Sequence, residues 1–204
     1  QQTRLHLDAT RSAALFADRV LIVEGVTEAS ILRLLGRAWA GSDPRRTGFI
    51  DSLAILPIGH KVGQWPIRLL ATPDYELVTR VAALADTDLR GTPLPAPKPP
   101  AWHGKLDPES ARFFWSQPTL EPSLVDGNET LVKDAFTACG LNAPNPVTTA
   151  TVDQFFVQHK KNKANFSLAL ARVLDQNLSS VVVPTHIDDT FTWLYDGTEP
   201  GSTP

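Results

Sequence analysis

Methionine is absent from the 204 residues and cysteine occurs once, as Cys139. A single thiol excludes a disulfide framework and a cysteine-based zinc site, and reads as a small buried residue. No apolar run approaches the length that crosses a bilayer, and the N-terminus lacks the basic and apolar regions of a signal peptide. The expectation is a cytosolic protein with no membrane partner. A phosphate-cradling Gly-x-x-x-x-Gly-Lys-Ser/Thr loop is also missing; Gly59-His60-Lys61-Val62-Gly63 has glycine and lysine in the wrong order and spacing, so any nucleotide hydrolysis would lie outside this chain. His60, His103, His159 and His186 are scattered, with no His-x-x-x-His zinc pattern. Positive charge is not in excess either: 19 Lys and Arg against 22 Asp and Glu leave a net charge of −3. A nucleic-acid partner would therefore need metal ions or a local basic patch to offset the acidity. The opening residues 1–16 show no clear element and, with no initiator methionine, read as part of something longer.

What is present suits one globular domain, or a core domain with an insertion: 42% hydrophobic and 20% charged residues. The apolar run Val20 to Val23 predicts a strand, and Ile31, Leu32, Leu34, Leu35, Ala38 and Trp39 then recur at helical spacing. Thr27 is placed to cap that helix, with Glu28 in its first turn. Leu53 to Ile58 predicts a second strand, Trp65 to Ala71 a short helix, and Val81 to Ala85 a third strand ending in Asp86-Thr87-Asp88. Strands alternating with helices imply an α/β fold with a mainly parallel sheet, whose working residues gather at the strands' carboxyl ends. From Thr92 to Trp102, five prolines in eleven residues make a stiff connector. Helices are expected at Pro108–Ser116, Glu129–Cys139, Val152–Lys161 and Lys163–Asn177, then a strand-like run at Val181–Pro184 and an amphipathic segment from Ile187 to Tyr195. The implied organisation is a core of residues 17–91 and 162–196, a Pro-rich connector and helical insertion at 92–161, and flanking segments 1–16 and 197–204.

Glu24, directly after the first strand, and Asp86 and Asp88, after the third, fall at such carboxyl ends. Alternate residues of an extended chain point the same way, so Asp86 and Asp88 present their carboxylates together. With Glu28 they make four like charges, whose repulsion a hard divalent cation relieves. Taken singly, each has a plainer explanation: Glu28 stabilises a helix dipole, and Asp-x-Asp caps a turn. The combination favours metal.

That combination, Val-Glu-Gly-Val-Thr-Glu at 23–28 followed by Ala-Leu-Ala-Asp-Thr-Asp-Leu-Arg-Gly at 83–91, resembles the TOPRIM domain of topoisomerases, primases and several nucleases. The extra Glu28 makes it similar to the OLD (overcoming lysogenization defect) nucleases. Thr119-Leu120-Glu121 resembles a further segment of those proteins, as does the helix beginning Lys163-Ala164-Asn165-Phe166, where Ala164 stands in place of glycine. The resemblance implies a TOPRIM nuclease region following an ABC-type ATPase in one full-length protein. It further implies a bacterial cytoplasmic location, DNA as substrate and phage defence as the setting, and leaves open a homodimer formed through the missing part. Two ions, Mg²⁺ or Mn²⁺, are expected: Glu24, Asp86 and Asp88 hold one, Glu28 and Glu121 help to hold the other, and Lys163 counters charge on the scissile phosphate or protonates the leaving oxygen. The expected activity is endonucleolytic hydrolysis of phosphodiester bonds.

Basic clusters available to grip DNA are Arg45-Arg46 and Lys160-Lys161-Asn162-Lys163, while Trp65, Trp102 and Trp115 are expected in packing roles. Two other readings stay open. Asp-Thr-Asp-Leu-Arg partly matches the motif of haloacid-dehalogenase-type phosphatases, although there the motif follows the first strand. A TOPRIM-like module can also bind metal or nucleic acid without catalysis.

Overall fold

A computed structural model describes residues 14–91 and 95–198. At its centre is a four-stranded, all-parallel sheet in the order β2-β1-β3-β4, formed by β1 (Arg19–Val23), β2 (Ala54–Pro57), β3 (Arg80–Asp86) and β4 (Ala111–Ser116). The helices are α1 (Val26–Ala40), α2 (Pro44–Ser52), α3 (Gln64–Leu70), α4 (Leu120–Ser123), α5 (Glu129–Ala138), α6 (Thr149–Gln158), α7 (Lys163–Gln176) and α8 (Thr185–Asp196). This is the α/β, mainly parallel arrangement that the strand and helix pattern predicts, and it is consistent with the TOPRIM-like fold that the motif resemblance implies.

The central strands read as apolar runs because both of their faces are covered. Leu21, Val23, Ala82 and Leu84 point to one side, where Ile31, Leu35, Phe136, Phe166, Leu170 and Phe191 from α1, α5, α7 and α8 close over them. Val20, Ile22, Val81 and Ala83 point to the other, against Ile67 and Leu70 of α3, with Trp102 and Leu106 of the connector packed alongside. Gly36 permits the approach of α1 to α2, since a Cβ there would meet Ile50 Cδ1 at 2.8 Å.

Three local expectations are overturned. Pro108–Ser116 is not a helix: Ala111–Ser116 is strand β4, paired with β3 from Val81↔Ala111 to Asp86↔Ser116. Its aromatic run favours a pleated surface, and periodicity alone cannot separate a short apolar strand from a helical turn. The region between connector and α5 thus contributes a strand to the sheet. Val181–Pro184 joins no sheet. Val182 satisfies its backbone on a side chain instead, donating N–H to Asn128 Oδ1 at 2.9 Å and accepting from Asn128 Nδ2 at 2.8 Å. Thr27 does not cap α1. Gly25 occupies the cap position, and its N–H donates to Glu28 Oε2 at 2.6 Å, so the glutamate reaches back to satisfy the helix entrance.

Candidate metal centre

Parallel topology gathers the sheet's carboxyl ends on one side, and the acidic residues follow from it. Glu24 leaves β1, Glu28 lies one turn into α1, and Asp86 is the last residue of β3. Beyond Asp86 the chain is held by Thr87 N–H to the Ser116 carbonyl at 3.0 Å and Asp88 N–H to the Pro118 carbonyl at 2.9 Å. Asp88 is thereby fixed at φ +54°, the left-handed region that a non-glycine residue enters at a cost.

The short helix α4 completes the cluster from the far side. Leu120 N–H donates to Asp86 Oδ1 at 2.9 Å, orienting that carboxylate, and the next residue, Glu121, is 1% exposed. Ser167 Oγ, one turn into α7, lies 2.8 Å from Glu121 Oε1, and also 2.8 Å from the Lys163 carbonyl; its one proton serves one acceptor at a time. Lys163, first residue of α7, puts Nζ 3.0 Å from Glu121 Oε2 and 3.7 Å from Asp86 Oδ2. The shorter contact is an ion pair off hydrogen-bond alignment, so Glu121 Oε2 is buried with no aligned donor. Lys61, after β2, reaches Asp88 Oδ2 at 2.7 Å from the solvent side.

Too little positive charge serves this many acids. Burial pushes the Asp86 carboxyl up to about 8, Lys163 pulls it back, and Glu121, Glu28 and Glu24 push it further. Burial also raises Glu28, against the Gly25 N–H, and the nearby Glu121 and Glu24 add to it. Glu24 is raised by burial and by Asp88, with Lys61, the Asp86 backbone and Lys163 opposing. Lys163 is depressed by burial, yet Glu121, Asp86 and Glu28 outweigh that and hold it above its ordinary value. The charged form of the ammonium is therefore the favoured one.

All six residues expected from the sequence, Glu24, Glu28, Asp86, Asp88, Glu121 and Lys163, lie at this one end of the sheet. Their donors suit a hard cation in type, and the buried Glu121 Oε2, which has no aligned donor, has acceptor capacity to offer one. In the present rotamers two ammonium groups take up that role, and among the described residues no three His, Cys, Asp or Glu side chains surround a common ion position. Arg45-Arg46 is not part of this end. It begins α2 where α1 has run back to the amino end of the sheet; Asp43 accepts from both backbone N–H groups and the Arg46 guanidinium lies over Trp39 at 4.5 Å. Trp102 and Trp115 pack on Phe113, each with centroids 5.5 Å apart, whereas Trp65 is half exposed. Sequence reasoning missed the pair between Arg90 and Asp153, in which Nε donates at 2.6 Å and Nη2 at 2.7 Å. Sixty-three positions separate these residues, and neither carries a local signal of the other. Among the described residues no helix is long and apolar enough to cross a membrane.

No family model and no curated protein matches this sequence. Solved structures do. The C-terminal region of the Burkholderia pseudomallei OLD protein superposes with a TM-score of 0.60 at 17% identity, covering 89% of this chain and 98% of that one. The C-terminal region of the Xanthomonas campestris pv. campestris OLD protein gives 0.54 at 18% identity, covering 90% and 95%. The chain thus has the fold of the C-terminal regions of OLD proteins.

Proposed function

We propose that this chain is a metal-dependent DNA endonuclease region, hydrolysing phosphodiester bonds with two divalent ions, Mg²⁺ or Mn²⁺, within a longer protein that also carries an ABC-type ATPase. The observation that carries the reading is the gathering of five carboxylates at the carboxyl edge of a parallel sheet, with Lys163 beside Glu121 and Asp86 and Lys61 beside Asp88. The likeness in fold to OLD C-terminal regions supports it.

Glu24, Asp86 and Asp88 would hold one ion, and Glu28 and Glu121 the other. Bound there, the pair supplies a lowered pKa for the attacking water and charge neutralisation on attacking and leaving oxygens. The protein's own part is orientation and proton handling. Leu120 N–H fixes the Asp86 carboxylate, Gly25 N–H fixes Glu28, and Ser167 faces Glu121. Lys163, kept charged by its acidic neighbours, is placed to counter charge on the scissile phosphate or to donate a proton to the departing oxygen.

The test is conversion of supercoiled plasmid to nicked and linear forms with Mg²⁺, Mn²⁺, Ca²⁺ or EDTA, beside Asp86→Ala. Cleavage lost in EDTA and in the variant is the expected result. Hydrolysis of a small phosphomonoester without action on DNA would point to the phosphatase chemistry instead. Metal binding without any hydrolysis would point to a binding module.

A further inference from the structure

After Asp86 the chain runs as a wall between two cavities. Thr87 and Leu89 line one of about 380 Å³, whose other sides are Pro95 to Lys98 and Trp115. Asp88 and Arg90 line the other, of about 310 Å³, together with Thr119, Asp153, Phe156, Val157, Lys160 and Lys163. Thr87 and Leu89 face one side and Asp88 and Arg90 the other, so four consecutive residues divide a mainly apolar cavity from a charged one. The polar cavity shares Asp88 and Lys163 with the acidic cluster and opens directly onto it.

We infer that this second cavity is a subsite for a nucleic-acid backbone phosphate next to the one being cleaved, with Lys160 as its principal cation. The inference rests on the nuclease reading and specifies how the substrate strand leaves the centre. Lys160 lies in the short turn between α6 and α7 and makes no ion pair among the described residues, so its charge is available to a ligand. Arg90 adds a second, fixed cation. Asp153, mostly buried, clamps it by two short hydrogen bonds, and a third runs from Nη1 to the Asp88 carbonyl at 3.3 Å. A guanidinium carries five N–H donors, so three engaged leave two for another acceptor. Phe156 and Val157 supply an apolar floor, and Val157 is 44% exposed, a surface suited to the carbon face of a sugar. Paired cations above an apolar floor, continuous with the cluster, fit a sugar–phosphate chain. Arg90, Lys160 and Lys163 face two carboxylates here, Asp88 and Asp153, the latter committed to Arg90, a balance that favours an anion.

Lys161, the adjacent residue, has the same charge but does not line the cavity, which makes it the control. Binding of a fluorescein-labelled oligodeoxynucleotide is measured by anisotropy in EDTA across a salt series for wild type, Lys160→Gln and Lys161→Gln. Lys160→Gln is expected to weaken binding roughly tenfold and to lower the salt slope by about one, with little change for Lys161→Gln. An uncharged methylphosphonate beside the scissile linkage should weaken wild type and leave Lys160→Gln almost unaffected. Equal losses in the two lysine variants would reduce the effect to general charge and overturn the subsite, as would an unchanged Lys160→Gln. The two readings fail separately. If wild type cuts no DNA yet Lys160→Gln loses affinity as described, nuclease activity falls and the phosphate site stands; if Asp86-dependent cleavage is present while both lysine variants behave alike, the reverse holds.

Discussion

The acidic end of the sheet has an inner and an outer half, and they are built on opposite terms. Inside, Asp86 and Glu121 are withdrawn from water, with Glu121 1% exposed; Leu120 N–H of α4 donates to Asp86, Ser167 of α7 faces Glu121, and Lys163 sets its ammonium beside both carboxylates. Outside, Asp88 and Lys61 form a 2.7 Å pair in which the lysine side chain is 74% exposed. Similar distances therefore carry different consequences. Desolvation raises Asp86 to about 8, because removing water penalises a charge that one ammonium only partly offsets. Solvent screens the outer pair, which leaves its members free to exchange partners.

The sharpest break of that contrast is Lys163→Ala. Turnover on plasmid DNA should drop by about 10²- to 10⁴-fold, the range for a lost general acid or charge stabiliser. Calorimetric Mn²⁺ binding should persist, and an unchanged rate would remove the lysine from the chemistry. Next in size is Asp153→Ala, which deprives Arg90 of its bidentate partner. Since Arg90 is itself partly exposed, the expected loss is about 1–2 kcal/mol in denaturant unfolding, below that of a fully buried pair.

A third prediction uses pH to isolate the inner half. A carboxyl whose pKa is higher in the folded than in the unfolded state takes up a proton on folding, so its contribution is lost as pH rises, for Asp86 between its ordinary 3.8 and about 8. His186, buried and lowered to about 4, acts oppositely below its ordinary 6.5, where unfolding gains a proton. Between pH 6.5 and 8 the carboxyl dominates: Tm should fall with rising pH in wild type and stay flatter in Asp86→Asn. Added Mg²⁺ should raise Tm more at pH 8 than at pH 6.5. Identical pH profiles for wild type and variant would contradict the raised carboxyl. Smallest of all is Lys61→Gln, expected to cost under about 1 kcal/mol. It should not weaken calorimetric Mn²⁺ binding, since a competing cation is removed from Asp88; a marked loss of affinity would show that Lys61 organises the site.

Much of the site was legible because its signals are local. A glutamate following an apolar run and an aspartate pair following another each mark the end of an element, and the α/β alternation places those ends together; Glu121 and Lys163 were legible only through the resemblance to the OLD nucleases. Asp153 was illegible because its reason for burial is a guanidinium on another element. Strand β4 was misjudged as helix for a related reason: Ala111–Ser116 is extended because β3 offers an open edge, which no window around Phe113 reveals. Val181–Pro184 shows the converse, an extended segment whose pairing partner is the Asn128 side chain.

Resemblance to the OLD nucleases singled out Glu121 and Lys163; by residue pattern alone the sequence determined the order of the first three strands along the chain, the amphipathic helices and the acidic group Glu24, Glu28, Asp86 and Asp88. These follow from residue type and spacing, which act over a few positions. Only the tertiary structure decided which of those charges are desolvated, which ammonium meets which carboxylate, that β4 completes the sheet, and that residues 87–90 divide an apolar cavity from a polar one. Burial, pairing and cavity shape depend on distant segments meeting, and the energy of a charge is set by what surrounds it once they have met.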